Sequence, residues 1–482
     1  MYQDLRTYLK LLDEKGVLLR VTQPVMPELE APILARLAGC RLGRAVLFEK
    51  VEGYELSACS SLFTSEESIK MALNLDSLEE LESRAAVLVE AGASIARFEK
   101  VALLARFSEV VSYAPKVVER GAPVMEVVLS EYDASFNLIP AFRFWPGETG
   151  RSITNAIVVA RDEETNEYLL SVNRMQVYDE KTASIHLAQL SPLANLMDKA
   201  RIRGEEIPLA VIISAPPSIY LAARLPPLKG IDPYVLAGSL AGRGMLLTRD
   251  EELGLYVPAD SEIVLKGYVD PRESRPEGPL GWGTGFYSPP EPQPIFHLTG
   301  ISMRKDATVY FTVPCREDLD DSWLQRSVDR VLSRLFRALI PGVVRVATLP
   351  ASFGRILVVA VEKGRPGQAR LVTMALAGIM PSPYTKVIVA VDPSVDVRNP
   401  ADILWAIANN VDSERDIVTV RGVQADELDY ATRDPGLATI LCIDATKKMR
   451  GELGGREPPS ELEDLREIEE AITSKFSELL SS

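Results

Sequence analysis

Histidine is the scarcest catalytic residue type in this chain of 482 residues: there are two, His186 and His297. A multi-histidine metal centre is therefore excluded, and histidine acid–base chemistry has only these two candidates. Cysteine is nearly as rare. Cys40, Cys59, Cys315 and Cys442 are widely spaced and form neither a CxxC pair nor a zinc pattern. Such usage fits buried thiols in a reducing compartment, so the cytoplasm is the expected location. No run of about 18 apolar residues is present, which argues against a membrane span. The first residues, Met1 to Arg6, carry no apolar core of a signal peptide. Basic residues are outnumbered, 53 against 68 acidic ones, for a formal net charge of −15. Nucleic acid and anionic membrane surfaces are thus not expected as partners. A Walker loop, a GxSxG elbow and an HExxH pair are all missing.

What is present is a globular composition, 46% hydrophobic and 25% charged, on a chain too long for one core. Asp4 to Lys15 has Leu5, Tyr8, Leu9 and Leu12 on one helical face, and Gly16 ends it. Val17–Val21 and Ala45–Glu49 read as strands flanking a helix over Glu28–Leu37. Residues 64–107 are charged and helix-periodic, a helical pair joining domains. From Ala122 to Thr312 short β-rich runs alternate with proline and glycine, which predicts a barrel or sandwich. Helices at Pro192–Arg203 and from Pro233 interrupt it. Beyond Trp323–Leu339, an amphipathic helix, strands and helices alternate. Lys386–Val391 is continuously apolar, the form of a strand covered on both faces. Pro459–Leu480 is a terminal helix with Leu465, Ile468, Ile472, Phe476 and Leu479 on one stripe, following the Gly451–Gly455 hinge. The expected fold class is α/β (α+β), divided at 1–121, 122–320, 321–450 and 451–482. The acidic runs Asp318–Asp321 and Glu461–Asp464 read as solvated helix starts.

The most unusual stretch is Glu277-Gly-Pro-Leu-Gly-Trp282-Gly-Thr-Gly-Phe286-Tyr287. Four glycines and a proline preclude a regular element. One acid among several rings makes either a wall for a flat conjugated ligand or an ordinary glycine-rich loop with rings packed beneath it. This stretch resembles the Glu-Gly-Pro-x-Gly-Glu/Asp-x-Thr-Gly-Tyr-Tyr loop of the UbiD family of decarboxylases. The similarity continues through "LLDEKGVLLRV", "AVLFEKVEGYE", "SVNRMQ", "GRPGQAR", "KVIVAVDPSVDVRNPADILWAI", "LDYAT" and "IDATKK". It implies an N-terminal α/β domain, a central split β-barrel of flavin-reductase type and a C-terminal α/β domain. It also implies a protruding tail helix that packs on a neighbouring protomer, hence at least a homodimer; docking on its own chain is the alternative.

The resemblance implies carboxy-lyase chemistry on an unsaturated or aromatic carboxylic acid, run by prenylated FMN. Its Glu-Arg-Glu network maps to Glu277 and Arg174, the candidate catalytic residues, and fails at Trp282, where the proton-donating acid would stand. Glu277 itself or water would have to serve. Thr154, Ser171, Val172, Asn173, Arg174 and Glu251 map to the cofactor site, and Ala222–Pro226 to a loop along the flavin ring. The family's metal-binding Asn, His and Glu map to Leu169, Leu190 and Glu251, and its nearby lysine to Ile440. His186 matches a different family histidine. Two leucines and a glutamate make no shell for a hard divalent ion, so no metal is expected there. Glu251 is then expected to pair with a base such as Arg249. Lys447, Lys448, Arg304 and Arg224 are substitute phosphate partners, each otherwise a solvated charge. Three readings follow: a carboxy-lyase with a remodelled site; a catalytically silent or auxiliary subunit, including in a hetero-oligomer with another UbiD-like subunit; or a cleft enzyme using plain FMN or no flavin.

Overall fold

The computed structural model describes residues 4–97, 108–189, 191–228, 230–379, 385–425, 428–433, 436–460, 462 and 466–476. The first helix, Leu5–Glu14, is capped by the Asp4 side chain, which accepts from the Thr7 N–H. It buries Leu5, Tyr8, Leu9 and Leu12, the stripe expected from the sequence. A second helix, Glu30–Leu42, runs further than expected and ends at Gly43, whose φ of 60° suits the left-handed cap. These helices flank a four-stranded sheet in the order Leu18–Val21, Ala45–Phe48, Ser57–Ser60, Thr308–Tyr310. The last strand begins 251 residues after the start of its neighbour and pairs with it in parallel. The first sheet is therefore not completed by N-terminal residues alone. Helices Glu66–Leu73 and Leu78–Arg97 follow; the remainder of the expected helical pair lies outside the described residues.

The middle of the chain forms a seven-stranded sheet. Along its path lie Val127–Leu129, Glu291–Met303, Ile263–Glu277, Ile207–Ile213, Ser152–Asp162 and Glu167–Gln176, with Thr182–Ser184 paired to Glu291–Met303. Every pairing in it is antiparallel. Among the described residues no pairing joins its two ends. Strand Ile263–Glu277 is long enough to leave the core and carry Glu277 to its far tip, opposite Glu291. The C-terminal sheet has the order Val343–Thr348, Ile356–Val361, Val387–Val391, Leu437–Asp444, Ile417–Gln424, parallel at its centre and antiparallel at both edges. Ile356–Val361 and Val387–Val391 are nearly all buried, as their apolar runs require, whereas Leu437–Asp444 is buried mainly toward its end. The terminal helix is described over Arg466–Lys475, with Ile468, Ile472 and Phe476 exposed on this chain; Leu465 and Leu479 lie outside the described residues.

Two buried carboxylates tie these parts together. The Glu262 side chain, fully buried, accepts from Arg6 at 3.0 Å, from Arg304 at 3.3 Å and from the Thr308 N–H at 3.1 Å. Asp320 corrects the expectation that its acidic run is solvated. Asp318 is exposed and paired with Arg326, but Asp320 is 1% exposed and begins helix Asp320–Leu339. It accepts from the Phe63 N–H at 3.0 Å and the Tyr310 O–H at 2.8 Å, so it joins the third sheet's helix to the first sheet. Of the second acidic run, Glu461, Glu463 and Asp464 lie outside the described residues.

Burial pushes the Asp320 carboxyl up to about 7, against partial relief from its two donors. In the unfolded chain the group ionises near 3.8. Between these values the folded state keeps a proton that the unfolded state has released. Stability therefore falls as pH rises from about 4 to about 7, by about 4 kcal/mol, and then levels off. Asp320→Asn keeps an acceptor for both donors and removes the ionisation. Urea titrations from pH 4 to 8 are expected to show a flatter profile for this variant and greater stability than the wild type at pH 8.

Candidate active site

After Glu277 the chain passes through Gly278 and folds into a tight hairpin. Gly281 bridges Tyr287, the Trp282 N–H donates to Phe286 O at 3.1 Å, and the Gly285 N–H donates to Trp282 O at 2.9 Å. The glycines are where neighbours press closest. A Cβ on Gly281 would lie 2.2 Å from the Trp145 indole, and one on Gly285, whose φ is 87°, would lie 2.7 Å from the Arg316 side chain. The composition of the loop thus follows from what packs onto it.

Arg174 and Glu277 each have a buried partner, and it is not the other. Arg174 is 5% exposed. Its Nη2 donates to Glu148 at 2.7 Å, its Nη1 to Gly281 O at 2.6 Å and its Nε to Ser152 at 2.9 Å. Glu148, fully buried at its side chain, also accepts from the N–H groups of Phe144, Trp145 and Gly281 at 2.7, 3.3 and 2.9 Å. A buried carboxylate met by that many donors fixes what surrounds it. Glu277, 3% exposed, meets His186 Nδ1 at 2.6 Å and accepts a hydrogen bond from the Ser184 hydroxyl. The Ser184 oxygen in turn accepts from the Gln176 N–H at 2.9 Å. The two pairs adjoin: the His186 N–H donates to Arg174 O at 2.9 Å. The Trp282 ring lies against both, 4.6 Å from the His186 ring and 5.5 Å from the Arg174 guanidinium. His297, the other histidine, pairs with Glu273 and stacks on Tyr268 on the same strand hairpin.

In front of this cluster lies a cavity of about 430 Å³. Trp145, Trp282, Phe286, Tyr287, Cys315, Arg316 and Glu317 line it with Gly281 and Gly285. Trp282 is on the wall, whereas Arg174 and Glu277 do not line it. Glu317 pairs with Arg36 at 2.5 Å. Burial raises its carboxyl, but its own backbone N–H, Arg36 and Cys315 outweigh this and hold it below the ordinary value. Burial, first among the causes, pushes the Cys315 thiol well up, so it is not a thiolate. The aromatic walls and a single guanidinium are suited to a flat organic anion.

The remaining residues singled out from the sequence are dispersed. The Thr154 hydroxyl is consumed by Thr312, donating to its carbonyl at 2.8 Å and accepting from its N–H at 3.0 Å. Ser171 and Val172 are half-buried on the Arg174 strand, paired with Val158 and Ile157. Asn173 is buried and donates to His186 O at 2.8 Å, so it braces the histidine. Glu251 is exposed in a turn, 3.4 Å from Arg249, the base expected for it. Leu169 packs against one apolar cluster and Ile440 lies within another. Leu190 lies outside the described residues. Ala222 and Leu225 of the flavin-loop segment are buried core residues. Three of the four substitute cations are not solvated, which corrects that expectation. Arg304 is held by Asp4 and Glu262, Arg224 by Asp321 and Asn155, and Lys448 by Asp416 and Asp444. The Lys447 peptide group bonds to Asp392 and Lys363. Among the described residues no three His, Cys, Asp or Glu side chains converge as a metal site.

Glu148, Trp145, Ser184 and Arg316 were not singled out in the sequence. Glu148 had a usable signal: it sits in Trp145-Pro-Gly-Glu148-Thr-Gly150, a second acid-bearing turn of the same texture as the Glu277 loop. Truncating Arg174 would leave the Glu148 charge buried and short of its strongest donor, so Arg174→Ala is expected to cost about 3–5 kcal/mol of stability. Chemical denaturation checks this, with Arg174→Lys recovering only part of the loss because the three-way fork is gone.

Three family descriptions match the chain. The UbiD N-terminal domain matches residues 9–87, the 3-octaprenyl-4-hydroxybenzoate carboxy-lyase Rift-related domain matches 116–317, and the UbiD C-terminal domain matches 322–445. An uncharacterised protein of Archaeoglobus fulgidus is 35% identical, across 99% of this chain and 98% of the relative. One from Aeropyrum pernix is 33% identical, across 98% of each. Among solved structures, the closed form of vanillic acid decarboxylase from Sedimentibacter hydroxybenzoicus is 27% identical, covers all of both chains and has a TM-score of 0.87. The open form of the same protein scores 0.78. The UbiD-class enzyme HmfF from Pelotomaculum thermopropionicum, in complex with FMN, is 26% identical over 96% of this chain and 98% of its own, with a TM-score of 0.78. With all three domains matched in order and the mixed α/β architecture shared, the chain belongs to the UbiD carboxy-lyase family.

Proposed function

We propose that this protein is a UbiD-type carboxy-lyase acting reversibly on a small unsaturated or aromatic carboxylic acid, in a remodelled site. The observation that carries the reading is Glu277. It is retained at the family's acid position, buried, and 2.6 Å from His186 Nδ1 beside an aromatic-walled cavity. When such an acid loses CO2, the electron pair of the broken bond stays on carbon and a proton must reach it. We read the Glu277–His186 pair as the proton store, because the Trp282 indole supplies no useful proton. We read the central sheet as the family's split barrel, the divisions 1–121, 122–320, 321–450 and 451–482 as its domains, and the exposed terminal stripe as a homodimer contact in a cytoplasmic protein.

The residues at the family's phosphate anchor do not fit a metal-bridged prenylated FMN. Leucine and isoleucine occupy the ligand and lysine positions within apolar packing, and Glu251 faces solvent beside Arg249. A phosphate placed on them would lose water without gaining a counter-charge, at a cost of several kcal/mol. No step is therefore assigned to the flavin. One observation favours the auxiliary-subunit reading instead: the Trp282 ring lies between partners, on the cavity wall and against His186.

Protein co-expressed with a flavin prenyltransferase is expected to purify with well under one equivalent of flavin and of manganese or magnesium, measured by absorbance and metal analysis. With cinnamic- and benzoic-type acids in D2O, proton NMR is expected to report CO2 loss with deuterium at the vacated carbon. Glu277→Gln should lower the rate by about 10²–10⁴-fold. No turnover of any acid by the protein alone would favour the auxiliary subunit.

A further inference from the structure

We propose that Arg316 is the carboxylate anchor of the 430 Å³ cavity, holding one planar conjugated or aromatic monoacid against the surrounding rings. This rests on reading the cavity as the site of a small carboxylic acid, and it moves the anchor to a residue outside the Arg174–Glu277 pair.

Arg174 is not free for that task. Each of its three nitrogens already donates within the protein, and it is buried behind the cavity wall. Arg316 is the opposite case. It lines the cavity, is exposed, and among the described residues has neither a hydrogen bond nor an ion pair. The neighbouring arginines do have acids: Arg36 has Glu317 and Arg174 has Glu148. On a chain with net charge −15, an arginine left without an acid on a cavity wall is notable. Its stem is also guided into place. It runs so close over Gly285 that a Cβ there would lie 2.7 Å from Cδ. Ordering the guanidinium around a ligand then costs less rotamer freedom.

The walls choose the rest of the ligand. Trp145, Trp282, Phe286 and Tyr287 offer flat faces, and the volume lies in the small-molecule range of about 300–1,000 Å³. A guanidinium fork matches a carboxylate through two parallel hydrogen bonds. Glu317 on the same wall opposes a second negative charge, so a monoanion fits better than a phosphate ester.

The test uses the full chain and two matched pairs of probes: trans-cinnamate with trans-cinnamamide, and benzoate with benzamide. Binding is read by calorimetry and by quenching of tryptophan fluorescence. The carboxylates are expected to bind at least tenfold tighter than the amides. Arg316→Gln should erase that difference without changing amide binding, and Arg316→Lys should restore part of it. Gly285→Ala, which displaces the arginine stem, should weaken carboxylate binding as well. Equal affinity for acid and amide, failure of every probe to bind, or an unchanged preference in Arg316→Gln overturns the proposal. Binding that depends on Arg316 without CO2 release sustains the anchor while the lyase reading fails. CO2 release unaffected by Arg316→Gln does the reverse.

Discussion

A carboxylate taken fully out of water has to be met by donors, and Glu148 is met by four: the Arg174 guanidinium and the N–H groups of Phe144, Trp145 and Gly281. Leaving such a group uncompensated costs several kcal/mol, so the donors cannot drift apart independently. One acid thereby fixes a strand, a turn and the glycine-rich loop relative to each other. The Trp145 indole can press on Gly281 only because the same carboxylate holds both backbones. The cavity wall is an outcome of that arrangement, and so is the burial of Arg174.

The family resemblance implies one Arg–Glu network; the structure divides it in two. Arg174 serves Glu148, and Glu277 serves His186 and Ser184, with a single backbone hydrogen bond linking the halves. The split has a chemical meaning. A guanidinium can only donate, whereas an imidazole nitrogen donates or accepts according to its tautomer. Residues retained by type have thus been given different partners, and the partners decide what the residues can do.

Much of the fold was legible because long periodic segments report it directly. The stripe of Leu5, Tyr8, Leu9 and Leu12 and the apolar run ending at Val391 are both where the sequence put them. Thr308–Tyr310 was not legible as a member of the first sheet. Three residues have no periodicity, and their pairing with Ser57–Ser60 is a fact of topology alone. Asp320 was misread because the character of an acid depends on what covers it, and its cover comes from Tyr310 and, 257 residues away in the chain, from Phe63. At the site, Arg174, Glu277 and Trp282 were found through motif position. Glu148 and Arg316 were not, since what distinguishes them is the presence of four donors in one case and, among the described residues, the lack of an acid in the other.

The glycine-rich loop does not end its contacts at the cavity. Phe286 meets the Tyr430 ring at 4.6 Å, and the Phe353 ring packs over Gly283. Both rings belong to the C-terminal part of the chain, while the loop is rooted in the central sheet. Every residue that lines the space in front of Trp282 nevertheless lies between 145 and 317, so these two rings touch the loop without lining the space. A change at Phe353 or Tyr430 would therefore reach the cavity only through the loop that they brace.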